Sequence, residues 1–491
     1  MRNLSWWKTA CTIFLLCAAA AITAHAQVFS TLDSLDGTNG AYPESGLIQA
    51  SNGNLYGTAS QGGTFTYGTV FEVTRNGTLS ATHNFDLTDG GLPFAGLVQA
   101  SDGSLYGTAF EGGANACPSF YFTGCGTVFK INLSGTLTTL DSFDGTDGAG
   151  SEAGLVQGPE GNLYGTAAGG TNGYGTVFKI TPTGTLTTLY NFCAQTNCDD
   201  GEYPVAGLAQ GTDGNLYGTT ERGGGNITNC GTAGCGTVFK ITKGGTLTTL
   251  HSFDGNDGAE PFAGLIQGVN GNFYGTTSSG GANGYGTVFE ISRSGTLTTL
   301  HSFGLTDGAY AVAGLLQGTD GNFYGTTAQG GTLPLCTEGC GTLFQVTPQG
   351  TLTTLYSFCS KDEGGRCEDG EVPYGALFQA TNGLFYGTTY FGGDSPNCDA
   401  GCGTVFRLDM GLGPFVSLVR NPAKVGQAFG ILGQRLKETT GVSLNGTPAA
   451  FEVRSETLLE ATVPVGATTG YVTVTTPSGT VKSNVPFHVI K

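Results

Sequence analysis

Positive charge is scarce in this chain. Charged residues are 11% of 491, with 19 Lys+Arg against 37 Asp+Glu, where an ordinary soluble domain carries ~25% charged residues. Between Gln27 and Leu412 there are 10 Lys+Arg and 33 Asp+Glu, a net of −23; from Gly413 onward the count is 7 against 4, a net of +3. So acidic a body repels phosphate backbones, which argues against a nucleic-acid partner and leaves cations and neutral or basic ligands. Long apolar runs are missing after Ile22, none approaching the ~18 residues of a membrane-spanning helix, so the chain from Gln27 is expected to be soluble. H-E-x-x-H, G-x-S-x-G and a phosphate-binding glycine loop are absent too, so none of those catalytic signatures is available.

What the chain has instead is glycine, 86 residues, with 30 Phe and 19 Tyr to build a core. Many turns, aromatic core residues and little charge point to numerous short strands. The first residues read as a secretory signal over 1–26. Arg2 and Lys8 supply its positive start, Cys11 to Ile22 its short apolar run, and Ala24-His25-Ala26 its cleavage site.

A repeat organises the rest. L-x-Q followed by [DNE]-G-x-[LF]-Y-G-T recurs seven times, with tyrosines Tyr56, Tyr106, Tyr164, Tyr217, Tyr274, Tyr324 and Tyr386. Each is followed by G-T-[VL]-F, and six copies then carry a T-L-x-x-[LT]-x-[NS]-F phrase ending at Phe85, Phe143, Phe192, Phe253, Phe303 and Phe358. Read as strands a to d, these phrases give four antiparallel strands joined by glycine turns, the pattern of a propeller blade. The seventh copy lacks strand d, and the missing piece stands at the other end of the chain: Phe29 to Leu35 matches Leu137 to Phe143. The N-terminal strand is therefore expected to complete the last blade and close the ring, leaving no open sheet edge.

These units resemble the GloVer tandem repeat of exported "choice-of-anchor" bacterial proteins over roughly residues 28–410 and, more distantly, the NHL and streptogramin-lyase propellers. The resemblance implies fold and says almost nothing of activity. The lyase's metal-dependent His and Glu site has no matching position here. Residues 413–491 resemble an IPT/TIG domain: Phe429 to Gly433, Val442 to Gly446, Val463-Pro464 and Gly470 to Val474 match its phrases in order. The expected fold is thus all-β: a signal (1–26), a seven-bladed β-propeller (27–412) and an immunoglobulin-like β-sandwich (413–491), which in such proteins is a spacer or contact module.

Spacing separates the two faces of the propeller. The step from strand-a Leu to strand-b Tyr is 9 residues in all seven copies, whereas the step between the glycines flanking the b–c loop ranges from 10 to 19. All length variation falls on the face formed by b–c and d–a loops, where function is expected. Twelve cysteines form six sequence-local pairs in those loops: Cys117/Cys125, Cys193/Cys198, Cys230/Cys235, Cys336/Cys340, Cys359/Cys367 and Cys398/Cys402. In an exported chain they read as disulfide staples. Zinc is the alternative, against which stand the lack of C-x-x-C and of accompanying histidines. Copies without the b–c pair place Tyr67, Tyr174 or Tyr285 at the second cysteine's position.

Several constellations have a functional and a structural reading. Asp89, Asp147, Asp200, Asp257, Asp307 and Asp369 (Asn39 in the remaining copy) recur in the d–a loops. They could ring the channel mouth as Ca²⁺ ligands, or each could close its own turn, the favoured reading. The strand-a glutamines, Gln49 to Gln379, could line a channel or bond backbone between blades, the latter favoured. His83, His251 and His301 share one strand-d position and read as exposed. Glu111, Glu221, Asp394 and Asp399, with Phe120, Tyr121, Phe122, Tyr390 and Phe391, lie in variable b–c loops as a candidate ligand face. Carboxylate pairs there could serve glycoside chemistry.

The expectation is an exported extracellular or cell-surface protein, monomeric, that binds polysaccharide or a cell-surface protein through its variable face. No cofactor is required, with Ca²⁺ as the one candidate. The competing expectation is an exported enzyme cleaving polysaccharide or a lactone at the same face, and a third is a purely structural envelope protein.

Overall fold

Each repeat copy forms one four-stranded antiparallel sheet in the order a-b-c-d. In blade 1 these are Ile48–Gln49, Leu55–Ala59, Thr69–Val73 and Leu79–Asn84. The structure, a computed structural model, describes residues 27–117, 123–226, 229–333, 336–361 and 366–490, so the expected signal lies outside it. Strand b is buried along its whole length in six blades and nearly so in the seventh. Its glycine is required by packing: a Cβ on Gly275 would lie 2.7 Å from the Phe289 ring and 2.9 Å from Leu265.

Two contacts join each blade to the next. The strand-b threonine donates to a carbonyl ahead of the neighbour's strand a, from Thr58 to Ala95 at 2.8 Å around to Thr388 and Ser45 at 2.9 Å, which closes the ring. The phenylalanine ending strand d packs against the next blade's strand-c phenylalanine, as in Phe253–Phe289 at 5.3 Å. Six junctions repeat this pair; at the seventh, Leu35 and Phe71 share one buried cluster. Such aromatic pairs add about 0.5–1.5 kcal/mol beyond burial. Val28–Ser34 pairs antiparallel with Thr404–Asp409, so the N-terminal strand does join the last sheet. The seven sheets form a closed, propeller-like ring.

The strand-a glutamines settle as interblade links. Gln157, Gln267, Gln317, Gln379 and Gln49 each accept from an amide in the preceding blade's a–b turn at 2.9–3.1 Å. The link fails at two turns, those of Pro159, which has no N–H, and Ser51. Both carbonyls are taken by the C-terminal unit: Arg420 donates to Pro159 O at 3.2 Å and Thr457 to Ser51 O at 2.8 Å. Gln434 adds a 2.7 Å bond to Thr381. The C-terminal unit therefore sits on the fixed-turn face and leaves the variable-loop face open.

That unit has two four-stranded antiparallel sheets. One contains Ala428–Leu432 and Leu458–Thr462, the other Gly441–Leu444 and Val472–Thr476. Phe429, Ile431, Leu459, Val474 and Phe487 share a single buried core between them.

All six cysteine pairs are bonded, which indicates an oxidising compartment outside the cytoplasm. No helix among the described residues is long and apolar enough to cross a membrane.

Candidate functional site

Around the axis of the variable-loop face runs a ring of strained backbone. Tyr42, Leu92, Gly150, Tyr203, Glu260, Tyr310 and Val372 occupy one repeat position, and all seven have φ between 50° and 58°. For the six that are not glycine this left-handed conformation costs on the order of 1 kcal/mol each. Bonds on both sides hold it. The N–H groups of Tyr42, Gly150, Glu260 and Val372 donate to the carbonyls of Cys402, Cys125, Cys235 and Cys340, and those of Leu92, Tyr203 and Tyr310 to Tyr67, Tyr174 and Tyr285. The carbonyls accept from the blade's own b–c loop, as Tyr203 O does from the Glu221 N–H at 2.9 Å. The second cysteine of each b–c disulfide is thus a support under this ring, and a tyrosine backbone takes the same place where no disulfide exists.

Two residues further along come Glu44, Phe94, Glu152, Phe262 and Tyr374, and the b–c loops add Phe110, Glu221 and Tyr390. Aromatic contacts run around this mouth: Tyr42–Tyr390 at 5.0 Å, Tyr390–Tyr374 at 5.3 Å, Phe94–Phe110 at 5.2 Å and Phe262–Tyr310 at 6.3 Å between ring centroids. Arg222 lies 5.4 Å over the Tyr203 ring and 3.0 Å from Glu221.

The carboxyl groups converge. Burial pushes Glu44 up to about 7, with Glu152 adding repulsion against the Ser60 hydroxyl that opposes it. Burial also raises Glu152 to about 7, reinforced by Glu221. Glu221 is raised by burial, with repulsion from Glu260 and relief from Arg222. Burial raises Tyr310, with added repulsion from Glu260 and Glu221, and burial raises Tyr390 to about 12 with help from Glu44, Tyr374 and Tyr42. Groups from blades 1, 3, 4, 5, 6 and 7 therefore feel one another across the axis. Flat aromatic faces beside carboxyl acceptors suit a ligand with apolar ring faces and hydroxyl or ammonium donors.

The expected site residues separate. Glu221, Tyr390 and Phe391 reach the mouth; Phe391 packs edge-on to Tyr390 at 4.5 Å. Glu111 stays in its own loop, raised by burial and eased by the Thr123 amide. Asp394 and Asp399 are exposed, and the Asp394 amide bonds Ser34 of the outermost strand at 3.3 Å, so these two lie at the periphery. Phe120, Tyr121 and Phe122 fall outside the described residues.

The aspartate ring is corrected: its carboxylates do not gather at the axis. Asp89, Asp257 and Asp307 lie 2.7–2.9 Å from His83, His251 and His301 on the outer strand, and Asp200 and Asp369 accept from Tyr190 and Tyr356 there. Asp147 accepts from the Asp144 amide three residues back. Each closes its own turn. The three histidines, expected to be exposed, are partly buried and partnered.

Sequence reasoning missed Glu44, Glu152, Glu260, Tyr42, Tyr310 and Tyr374. Their signal was present: between the d–a Asp-Gly and strand a, segment length is constant while side chains vary from Glu to Tyr to Val.

A family model for the Gloeobacter/Verrucomicrobia repeat matches residues 18–233 and 225–421. No curated protein matches the chain. Among solved structures, it is similar to a gluconolactonase from Xanthomonas campestris (13% identity, 64% of this chain and 90% of that one, TM-score 0.37). It is also similar to a luciferin-regenerating enzyme (14%, 64% and 89%, TM-score 0.39) and to the PQQ-bound aldose sugar dehydrogenase of Streptomyces coelicolor (11%, 78% and 98%, TM-score 0.40).

Proposed function

The chain belongs to the Gloeobacter/Verrucomicrobia repeat family, and from that premise we propose that it is an exported, extracellular or cell-surface protein that binds polysaccharide at the variable-loop mouth. The observation that carries this reading is the strained ring that holds Tyr42, Tyr203, Glu260 and Tyr310 toward one axis beside Glu44 and Glu152. A left-handed backbone kept at seven equivalent positions, strained at the six that are not glycine and carrying Tyr, Leu, Glu or Val there, supports a displayed recognition surface. On this reading residues 413–491 form an immunoglobulin-like module of IPT/TIG type that acts as a spacer, the protein works as a monomer, and no cofactor is required.

The test is a binding screen of the disulfide-intact chain against cell-wall and extracellular polysaccharides, with and without Ca²⁺. Binding that falls at least about tenfold in Tyr390→Ala, a loss of ~1.4 kcal/mol, supports the mouth. Binding that needs Ca²⁺ would restore a cation to the account, and no binding under either condition would shift the partner to a protein.

One observation favours a second reading, cleavage at the same mouth. Glu44 and Glu152, at about 7, titrate where a general acid works best near neutrality. Release of reducing ends from a bound polysaccharide, abolished in Glu152→Gln with binding retained, is the outcome that reading requires.

A further inference from the structure

In six blades the strand-b tyrosine hydroxyl donates to a carboxylate of its own blade. Where the a–b turn carries an acid, that acid accepts: Asp102 from Tyr106, Glu160 from Tyr164, Asp213 from Tyr217 and Asp320 from Tyr324, at 2.6–2.9 Å. Where the turn carries asparagine, the strand-c neighbour is a glutamate and accepts instead: Glu72 from Tyr56 at 2.6 Å and Glu290 from Tyr274 at 2.8 Å. One acid per tyrosine is the rule, supplied from either of two places.

Blade 7 breaks it. The turn residue is Asn382, and the strand-c residue opposite Tyr386 is Arg407. The Asn382 amide donates to the Tyr386 hydroxyl at 3.0 Å, and its carbonyl oxygen is fixed by the Leu384 N–H. The hydroxyl proton therefore has no acceptor among the described residues. Tyr386 is also partly exposed, whereas its six counterparts are buried. It opens onto a cavity of about 250 Å³ at the seam between blades 7 and 1, lined also by Arg407, Arg75, Gln49 and Gln434. Among the described residues Arg407 bonds only Ser30 Oγ, at 2.9 Å, while Arg75 donates to Asn52 O at 3.0 Å and has Glu456 as its nearest carboxylate at 3.9 Å. Two guanidinium groups and an unused hydroxyl donor thus face one cavity in a strongly acidic protein.

We infer that this seam is an oxyanion site, in which a carboxylate, sulfate or phosphate group takes the place of the acid that blade 7 lacks, held by Tyr386, Arg407 and Arg75. Guanidinium forks match such groups in geometry as well as charge. The site lies on the face opposite the variable-loop mouth and is independent of it.

The test is thermal unfolding and calorimetric titration of the full chain with sodium sulfate, sodium phosphate and sodium glucuronate, at ionic strength matched with chloride. Arg407→Glu is the decisive variant, because Asn-Glu-Tyr is the arrangement blades 1 and 5 already fold with. The expected result is a saturable stabilisation of the unmodified chain by at least one oxyanion, weakened several-fold in Tyr386→Phe and abolished in Arg407→Glu, which itself remains folded. Tighter binding of the inorganic ions identifies a free oxyanion as the source; tighter binding of glucuronate identifies an acidic glycan. An equal shift in Arg407→Glu would reflect salt exclusion from the surface, and that outcome, or no saturable binding at all, would overturn the inference.

Discussion

The His251 Nε2 atom lies 2.7 Å from Asp257 Oδ2, and the same pairing joins His83 to Asp89 and His301 to Asp307. In blade 2 the histidine position belongs to Asp141, whose Oδ2 is buried without a partner among the described residues. Burial raises Asp147 to about 6, and Asp144 and Asp141 add to the rise. Asp141→His supplies the missing partner and is expected to stabilise the fold by about 1 kcal/mol at neutral pH, read from the denaturant midpoint. Carboxyls raised by folding destabilise the native state as pH climbs past their unfolded values. The gain should therefore shrink below about pH 4, where both carboxyls are protonated. An equal gain at both pH values would place its origin elsewhere.

Glu44 and Glu152 carry the same sign of linkage. Each has a folded value near 7, above that of a free glutamate, so the native state binds more protons than the unfolded chain between about pH 4.5 and 7 and loses stability as pH rises through that window. Glu44→Gln with Glu152→Gln should flatten this loss. Denaturant midpoints at pH 5 and pH 8 give the comparison: the unmodified chain falls more than the double variant. Parallel behaviour would mean that folding does not raise these two carboxyls.

The ring itself was legible in the sequence, because closure needs only matching phrases: Phe29 to Leu35 repeats Leu137 to Phe143, and the observed pairing with Thr404–Asp409 follows. The disulfides were legible for the same local reason. The mouth was not. Glu44, Glu152 and Glu221 are separated by scores of residues and meet only because ring closure brings blades 1, 3 and 4 to one axis. Each aspartate recurs in a d–a loop, and the repeat did not show which way its carboxylate turns: Asp257 lies 2.7 Å from His251 of the outermost strand d. The seat of the C-terminal unit depends on Pro159, a departure from the repeat, and on Ser51, which matches Ser101 of the next blade and carries no signal until its glutamine link is seen to fail.

Val372 is a β-branched residue held at φ 55°, the least favourable side chain for that backbone. Val372→Gly should relieve the strain and stabilise the fold by about 1 kcal/mol. Ligand binding should be retained, since Val372 adds neither an aromatic face nor a carboxyl to the mouth. A destabilised variant would show that the side chain's packing outweighs its backbone strain.

The central claim is that recognition of uncharged polysaccharide belongs to the variable-loop mouth. The most direct test compares polysaccharide affinity in three full-length chains: unmodified, Tyr374→Ala with Tyr390→Ala at the mouth, and Arg407→Glu on the opposite face. The account predicts affinity reduced at least about tenfold, ~1.4 kcal/mol, in the mouth variant and unchanged in the other. Equal affinity in all three chains, or loss confined to Arg407→Glu, would contradict it.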